Sequence, residues 1–210
     1  MTRLQIWLFC CLIGTAWCAQ NAQAATEITY TVDPSQSRFV VHVYRGGLFS
    51  RFGHDHTIAI QTFQGSVTVT EGTIGPATLT VTALSSSLKP LDDDSESDRL
   101  KIEGTMRQQV LDVNRYPEIR FRSVAIVLDR QATPERDAFI IGMLDLHGVS
   151  RLIVIQSRVA VDDKSVRAKG TFTINQTDYN IKPVSVMGGL VKVKDTLALT
   201  FDFVARRTQH

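Results

Sequence analysis

Apolar and polar residues alternate along most of the chain, and the longest such pattern predicts a β-hairpin at Ala138–Val161. Side chains point to opposite faces of a strand at successive residues, so residues two apart share a face. In the first arm one face carries Ile140, Gly142, Leu144 and Leu146. In the second arm one face carries Ile153, Ile155, Val159 and Val161. Gly148 lies between the arms and marks the turn.

The same alternation predicts further strands on both sides of this hairpin. They are Ser37–Tyr44, Thr57–Phe63, a strand around Val67 and Val69, Leu79–Ala83, a strand from Glu118, Val166–Asn175 and Leu197–Ala205. One segment has helical spacing instead: Leu100–Leu111, with Met106, Val110 and Leu111 as its buried side. Ser95 is a candidate N-cap for this helix, because a hydroxyl there accepts a hydrogen bond from a free backbone N–H.

About eight strands with one apolar face and a single inserted helix predict an all-β fold, either a closed antiparallel barrel or a sandwich. A barrel of about eight strands has an interior that admits side chains or one slim ligand. The inward positions of several strands are apolar, and we expect them to contact such a ligand. They are Phe39, Val41, Leu79, Phe121, Leu144, Phe172, Leu199 and Phe201.

The N-terminus has the features of a signal peptide, which we expect to cover residues 1–24. Arg3 is followed by an apolar run, Leu4–Trp17, and then by Ala22-Gln-Ala24, a small-residue cleavage pattern. The run is short for a membrane anchor, and Trp17 stands where a lipoprotein signal ending at Cys18 carries a small residue. Residues 25–210 then form one domain. All three cysteines precede Ala25, so this domain has no disulfide and no thiol nucleophile.

The charge and the motifs argue against two classes of function. The formal charge of +2, which becomes +1 without Arg3, is too balanced to indicate a nucleic-acid partner. Hydrolase motifs such as Gly-x-Ser-x-Gly are absent. We therefore predict a protein that is not an enzyme and needs no cofactor.

His54-Asp-His56 is the best candidate for specific chemistry. In an extended segment both imidazoles lie on one face, within reach of one ligand headgroup or one metal ion. A zinc site needs three or four protein ligands, and His42, His147 or a carboxylate would have to complete it. The sequence shows no second ligand pair at metal spacing, so we predict that the two histidines contact backbone or a ligand headgroup.

Several segments, in order along the chain, resemble the YceI-like family of bacterial secreted proteins. They are Tyr30-Thr-Val-Asp-Pro-Ser-Gln-Ser-Arg-Phe39, Tyr116-Pro-Glu-Ile-Arg-Phe-Arg-Ser123, Gly142-Met-Leu-Asp-Leu-His-Gly-Val149, Gly170-Thr-Phe-Thr-Ile-Asn-Gln-Thr-Asp-Tyr-Asn-Ile181 and Val193-Lys-Asp-Thr-Leu-Ala-Leu-Thr-Phe201. Two segments depart from the pattern. Gly53-His-Asp-His56 replaces a Gly-Arg-Phe-like segment, and Ser97–Met106 lacks the Arg-Asp-x-His-Leu of many members, so polar ligand contacts from that helix do not carry over.

The resemblance implies a lipocalin-like extended barrel in the periplasm or outside the cell. It implies a barrel that holds an elongated apolar lipid: a polyisoprenoid, an isoprenoid quinone or a fatty-acid derivative. The alternative is a metal- or quinone-linked redox accessory protein that uses His54 and His56. We expect an isoprenoid or acyl lipid as partner, no nucleic acid, and no stable membrane insertion after signal cleavage. The sequence leaves open whether the protein forms a homodimer.

Overall fold

Strands dominate the computed structural model, which describes residues 26–46, 55–70, 77–92, 95–129, 135–186 and 191–208. The strands are β1 (Glu27–Val32), β2 (Arg38–Gly46), β3 (His56–Ile60), β4 (Phe63–Thr70), β5 (Ala77–Leu84), β6 (Leu88–Pro90), β7 (Glu118–Leu128), β8 (Glu135–Leu146), β9 (Val149–Val161), β10 (Ser165–Asn175), β11 (Ser185–Val186) and β12 (Val191–Arg207). Helix α1 (Glu96–Thr105) continues into a π-type turn, Met106–Val110.

Eight strands close into an antiparallel ring, which confirms the predicted barrel of about eight strands, and their order is β1-β4-β5-β7-β8-β9-β10-β12. The ring closes because the end of β12 pairs with β1, with Ala205 opposite Val32. The long strand β12 also extends beyond β1, and there it pairs with β2. Strands β3 and β6 follow β2 in the same sheet, so the sheet extends beyond the closed ring at one end of the barrel.

Helix α1 belongs to this extended end. Ser95 is its N-cap: the Ser95 hydroxyl accepts a hydrogen bond from Asp98 N at 3.2 Å, which confirms the predicted cap. Asp98 in the first turn also suits the positive end of the helix dipole. The helix contacts β6, and the π-type turn brings Met106 and Val110 against the core. No helix in the described ranges is long and apolar enough to cross a membrane.

The predicted hairpin consists of β8 and β9, joined by His147 and Gly148. Both residues have positive φ, 50° and 76°. Two-residue hairpin loops prefer this left-handed geometry because it matches the twist of the flanking strands. The predicted inward face of β8 is confirmed, because Ile140, Leu144 and Leu146 are all buried.

The sequence-based boundaries were wrong in two places. The predicted strand Thr57–Phe63 is two strands: β3 ends at Ile60, and Phe63 begins β4. Gln61 and Thr62 connect them, and their backbone N–H groups bond to Ser87, outside the β3 and β4 ladders. The helix begins at Glu96, before the predicted Leu100, because its first turn is polar and carries no apolar signal.

Candidate functional site

A cavity of about 480 Å³ occupies the interior of the barrel. Every strand of the closed ring contributes at least one side chain to its wall. The wall includes all eight of the apolar residues predicted from the sequence: Phe39, Val41, Leu79, Phe121, Leu144, Phe172, Leu199 and Phe201. The alternation along the strands therefore predicted correctly that these side chains face the interior. That they contact a ligand stays a prediction.

Two inward-facing glycines help to keep the cavity open. A Cβ at Gly170 would lie 2.7 Å from Cζ of Phe201, its cross-strand partner. A Cβ at Gly142 would collide in the same way with the ring of Phe121 and would lie 2.5 Å from Arg122 O. Real Cβ atoms do not approach other atoms so closely. The glycines thus allow both phenyl rings to lie along the wall, where they occupy less of the interior.

A cluster of phenylalanine side chains packs in the part of the cavity wall that β2, β4 and β12 form. Phe203 contacts Phe39, Phe63 and Phe201, with ring centroids 5.6, 5.4 and 5.1 Å apart. The Phe39 and Phe203 rings meet edge to face, at 82°. Such pairs contribute roughly 0.5–1.5 kcal/mol beyond the area they bury. This cluster holds the wall around β2 and β12 in place, so the cavity is formed by the packing of the folded barrel itself.

Polar groups reach the cavity at one end only, among the described residues. Four of the side chains in its wall are polar: His56, Lys101, Thr105 and Gln176. His56 begins β3 opposite Val43, and Val43 pairs with Leu197 on β12. Leu197 pairs in turn with Ile174, close to Gln176.

Lys101 and Thr105 belong to α1, which packs at this same extended end. At the opposite end of the ring the described part of the wall is apolar, with Val69, Ala77, Leu128 and Val161. The cavity therefore has one polar end and one apolar end.

His56 is held in place by Asp92. Its Nδ1 lies 2.9 Å from Asp92 Oδ2, and both side chains are largely covered, with 23% and 22% of their area exposed. Asp92 also accepts from Thr57 N, at 3.1 and 3.2 Å. An ionised carboxylate can only accept hydrogen bonds, so Nδ1 of His56 is the donor in this contact. The pair fixes both the ring orientation and the tautomer.

The other two histidines in the described ranges, His42 and His147, do not join His56. His42 lies on β2 between the inward Val41 and Val43, so it faces outward. His147 lies in the β8–β9 turn, where Nδ1 is 3.2 Å from Tyr179 O and the ring packs on Tyr116. His54 lies outside the described residues. Within the described ranges no three His, Cys, Asp or Glu side chains come close enough together to hold a metal ion.

Three polar wall residues were missed by the sequence reasoning: Lys101, Thr105 and Gln176. Lys101 Nζ donates to Asp98 Oδ1 at 3.1 Å, while its carbon chain lines the cavity. Gln176 is buried, and its Nε2 donates to Lys194 O at 2.9 Å. A weak signal was present in α1, because Lys101, Thr105 and Ile102 share helical spacing with Met106. Gln176 follows the end of β10 and gave no such signal.

The charged groups with perturbed pKa values lie on the outside of the barrel. Two hydrogen bonds from Arg167 hold the pKa of Asp202 below its ordinary value. A hydrogen bond from the Thr177 hydroxyl likewise lowers the pKa of Asp195. Tyr179 is the exception: burial raises its pKa, since a phenolate would lose its hydration there. The charged interactions that lower the pKa values of these carboxyl groups therefore lie on the outer surface of the barrel, while most of its interior is apolar.

The sequence matches the YceI-like domain over residues 30–205, which is nearly all of the described barrel. The chain belongs to the YceI-like family. A UPF0312 protein from Pseudomonas savastanoi pv. phaseolicola is 40% identical over 78 residues, which cover 34% of this chain. The match spans 38% of the length of that relative.

Three solved structures share the fold. BcnA from Burkholderia cenocepacia aligns with a TM-score of 0.61 at 16% identity, over 82% of this chain and 98% of its own. A polyisoprenoid-binding domain from Saccharophagus degradans, implicated in plant cell wall breakdown, aligns with a TM-score of 0.62 at 15% identity, over 85% and 98%. A YCEI protein from Campylobacter jejuni aligns with a TM-score of 0.53 at 15% identity, over 72% and 85%.

Proposed function

We propose that this YceI-like protein is a non-enzymatic binding protein that holds an elongated apolar lipid inside its barrel. The ligand class is a polyisoprenoid, an isoprenoid quinone or a fatty-acid derivative. The observation that carries the proposal is the cavity of about 480 Å³ with an almost entirely apolar wall. Small-molecule sites have volumes of about 300–1,000 Å³ and are mostly apolar. The polyisoprenoid-binding domain of S. degradans, which shares the fold, supports the ligand class.

The energetics of an empty cavity support an occupant. Protein interiors contain few voids larger than a water molecule. In mutant proteins an empty apolar cavity costs about 24 cal/mol per Å³. A void of 480 Å³ would then cost about 12 kcal/mol by that coefficient, within the range of about 5–15 kcal/mol for the whole stability of a typical domain. A bound chain restores the missing contacts, and it needs no polar partners along the apolar wall.

The polar end of the cavity supports an amphiphile rather than a pure hydrocarbon. We infer that the tail lies along the phenylalanine-lined wall and that the headgroup lies near His56 and Lys101. The carboxylate of Asp92 orients the imidazole of His56 at this end of the cavity, and an imidazole is a hydrogen-bonding group that suits a hydroxyl headgroup. The His56–Asp92 pair also favours the second candidate, a quinone-linked redox accessory protein, because an imidazole can hydrogen-bond the oxygen of a bound isoprenoid quinone.

The experiment that tests the proposal is mass spectrometry of an organic extract from protein exported by a bacterial host and purified without detergent. We expect one lipid class at near one molecule per chain, with a mass ladder of isoprene or methylene units. Isoprenoid quinones in the extract would favour the redox candidate. An extract without lipid, from protein that also fails to bind added prenol, quinone or fatty acid, would contradict the proposal.

The proposal includes export to the periplasm or the outside of the cell. It rests on Arg3, the apolar run and Ala22-Gln-Ala24, which lie outside the described residues. We expect N-terminal sequencing of the exported protein to begin at Ala25, and a lipid-modified start at Cys18 would contradict this.

A further inference from the structure

Gln176 is a buried polar side chain in the wall of an apolar cavity. It is 3% exposed, and it lines the cavity at the polar end. It follows Asn175, the last residue of β10, and begins the 3₁₀ turn Gln176–Tyr179. Of the four polar side chains in the described part of the wall, it alone is buried. Because buried polar groups in proteins are hydrogen-bonded, both polar atoms of this amide need a partner.

The nitrogen of the Gln176 amide has its partner within the protein. Nε2 donates to the backbone oxygen of Lys194 at 2.9 Å. Lys194 lies beyond the last pair of β10 with β12, in the stretch where the register of β12 with β2 shifts. It therefore belongs to neither ladder, and its carbonyl accepts a side-chain donor instead.

This contact determines the orientation of the amide. A backbone carbonyl can only accept a hydrogen bond, so the atom that faces Lys194 O is the amide nitrogen, and Oε1 points elsewhere. The backbone on both sides is also held. Gln176 O accepts from Ile181 N at 3.1 Å, and Thr177 N donates to Asp195 Oδ1 at 2.9 Å. The amide is thus preorganised before any ligand arrives.

The oxygen of the Gln176 amide has no such partner. Within the described ranges no protein group donates a hydrogen bond to Oε1. The side chain is almost fully removed from bulk solvent, and the cavity that it lines is otherwise mostly apolar. A buried acceptor without a donor loses its hydration and gains nothing in return. The ligand tail has no hydrogen-bonding groups, so the headgroup has to supply the donor.

Lys101, at the same end of the cavity, does not fill this role. An ammonium group can only donate, so it would suit a headgroup that accepts. Its Nζ already donates to Asp98 Oδ1 at 3.1 Å, and its side chain is 73% exposed. An exposed and solvated ammonium discriminates weakly between headgroups, because water replaces whatever contact the ligand lacks.

We propose that Gln176 selects the ligand headgroup, with Oε1 as the acceptor for a headgroup hydroxyl. The inference rests on the proposed lipid-binding function and narrows the ligand to amphiphiles whose headgroup donates a hydrogen bond, such as an isoprenoid or fatty alcohol. An ether, an ester or an oxidised quinone would set oxygen against oxygen and leave Oε1 unpaired, which a site built for a hydroxyl rejects. The tail supplies affinity, and Gln176 decides between headgroups on the same tail.

The first test compares the binding of farnesol and of its methyl ether by the wild type and two matched variants. Gln176→Met keeps a similar length and removes both polar atoms, so we expect the preference for the alcohol over the ether to fall about tenfold, as for the loss of one hydrogen bond. Gln156→Met makes the same change at an exposed outward position of β9 and should keep the wild-type preference. Differences in hydrophobicity between the two probes cancel in this cycle.

The second test needs no substitution. In the wild type the side-chain ¹³C carbonyl signal of Gln176 should shift on addition of farnesol and stay unchanged with the methyl ether. Equal shifts with both probes, or a preference that a folded Gln176→Met protein keeps in full, would overturn the selection by Gln176 while lipid binding stands. If neither probe binds the wild type, the proposed function itself fails along with the inference.

Discussion

His56 Nδ1 lies 2.9 Å from Asp92 Oδ2 at the polar end of an otherwise apolar cavity. Asp92 follows β6 and His56 begins β3, so the pair joins two segments that are far apart in sequence but neighbouring in the sheet. Because the carboxylate determines which ring nitrogen carries the proton, it also determines what the imidazole can offer a ligand.

We first predict a change of tautomer in Asp92→Asn. The amide of Asn is a weaker acceptor than a carboxylate, so Nδ1 is no longer favoured as the protonated nitrogen. The ¹⁵N chemical shifts of His56 should report Nδ1–H in the wild type and a mixture of tautomers in the variant. His56→Gln should keep the fold and lower lipid occupancy or headgroup selectivity. His42→Gln, on the outer face of β2, is the control and should change neither. Equal lipid selectivity in all three variants would contradict the headgroup role.

The second prediction concerns Phe172, whose ring centroid lies 6.5 Å from that of Phe201 in the cavity wall. Phe172→Trp adds volume inside the barrel, so we expect it to reduce bound lipid by about tenfold while it costs roughly 1–3 kcal/mol of stability. Thr173→Trp places the same side chain on the outer face and should leave lipid binding unchanged. Lipid content by mass spectrometry measures the effect. Full binding by a folded Phe172→Trp protein would place the ligand elsewhere.

Third, affinity should rise with the length of the ligand tail. An apolar tail gains about 0.8 kcal/mol for each CH₂ group removed from water, and ordering the chain offsets part of that gain. The rise should stop when the tail outgrows the barrel. Competition binding with fatty acids or prenols of increasing length checks this. Affinity that depends on the headgroup and not on length would contradict binding in the cavity.

Fourth, two glycines should respond to alanine in opposite directions. At Gly142 a Cβ meets Arg122 O at 2.5 Å and the ring of Phe121, so Gly142→Ala should destabilise the protein by roughly 1–3 kcal/mol. The Phe121 ring would then be pushed into the cavity, and bound lipid should decrease. Gly104 lies in α1, where a Cβ meets nothing within 4 Å, so Gly104→Ala should stabilise by about 0.5–1 kcal/mol. Urea denaturation measures both changes.

The fifth prediction is the pH dependence of the Arg167–Asp202 pair. Arg167 Nε donates to Asp202 Oδ1 at 2.8 Å, and Nη2 donates to Oδ2 at 2.7 Å, so the pKa of Asp202 in the folded protein is below its ordinary value of 3.8. Its stabilising contribution is therefore complete above the unfolded-state pKa and is lost as the pH falls through the folded pKa.

Asp202→Asn should consequently lower the free energy of unfolding at neutral pH, by at most about 1 kcal/mol for a partly exposed pair. The difference from the wild type should shrink toward zero as the pH falls below about 4. Asp163→Asn, at an exposed turn position, is the control. A difference that stays constant from neutral to acid pH would show that the ion pair does not stabilise the fold.

The sequence by itself determined most of the long strands and their inward faces, and it limited the fold to a closed barrel or a sandwich; the family resemblance then indicated the barrel. Alternation with period two is a local property, and it is strong where one face is buried, as from Val166 to Asn175. The same parity placed Phe121, Phe172 and Leu199 in the wall of the cavity. The hairpin turn was equally local, because Gly148 in a two-residue loop accepts the positive φ that few other residues adopt.

Only the tertiary structure decided what stands at the polar end of the cavity. Asp92 reaches His56 through the pairing of β3 with β6, a three-residue strand that is too short to show a pattern. Lys101 and Thr105 face the interior because α1 packs on β6, and the weak helical pattern did not identify that partner. The apolar outer face of β8 is a further case. Its apolar residues are visible in the sequence, but their alignment with Val127 and Val154 depends on the register across three strands, which folding sets through contacts distant in the chain.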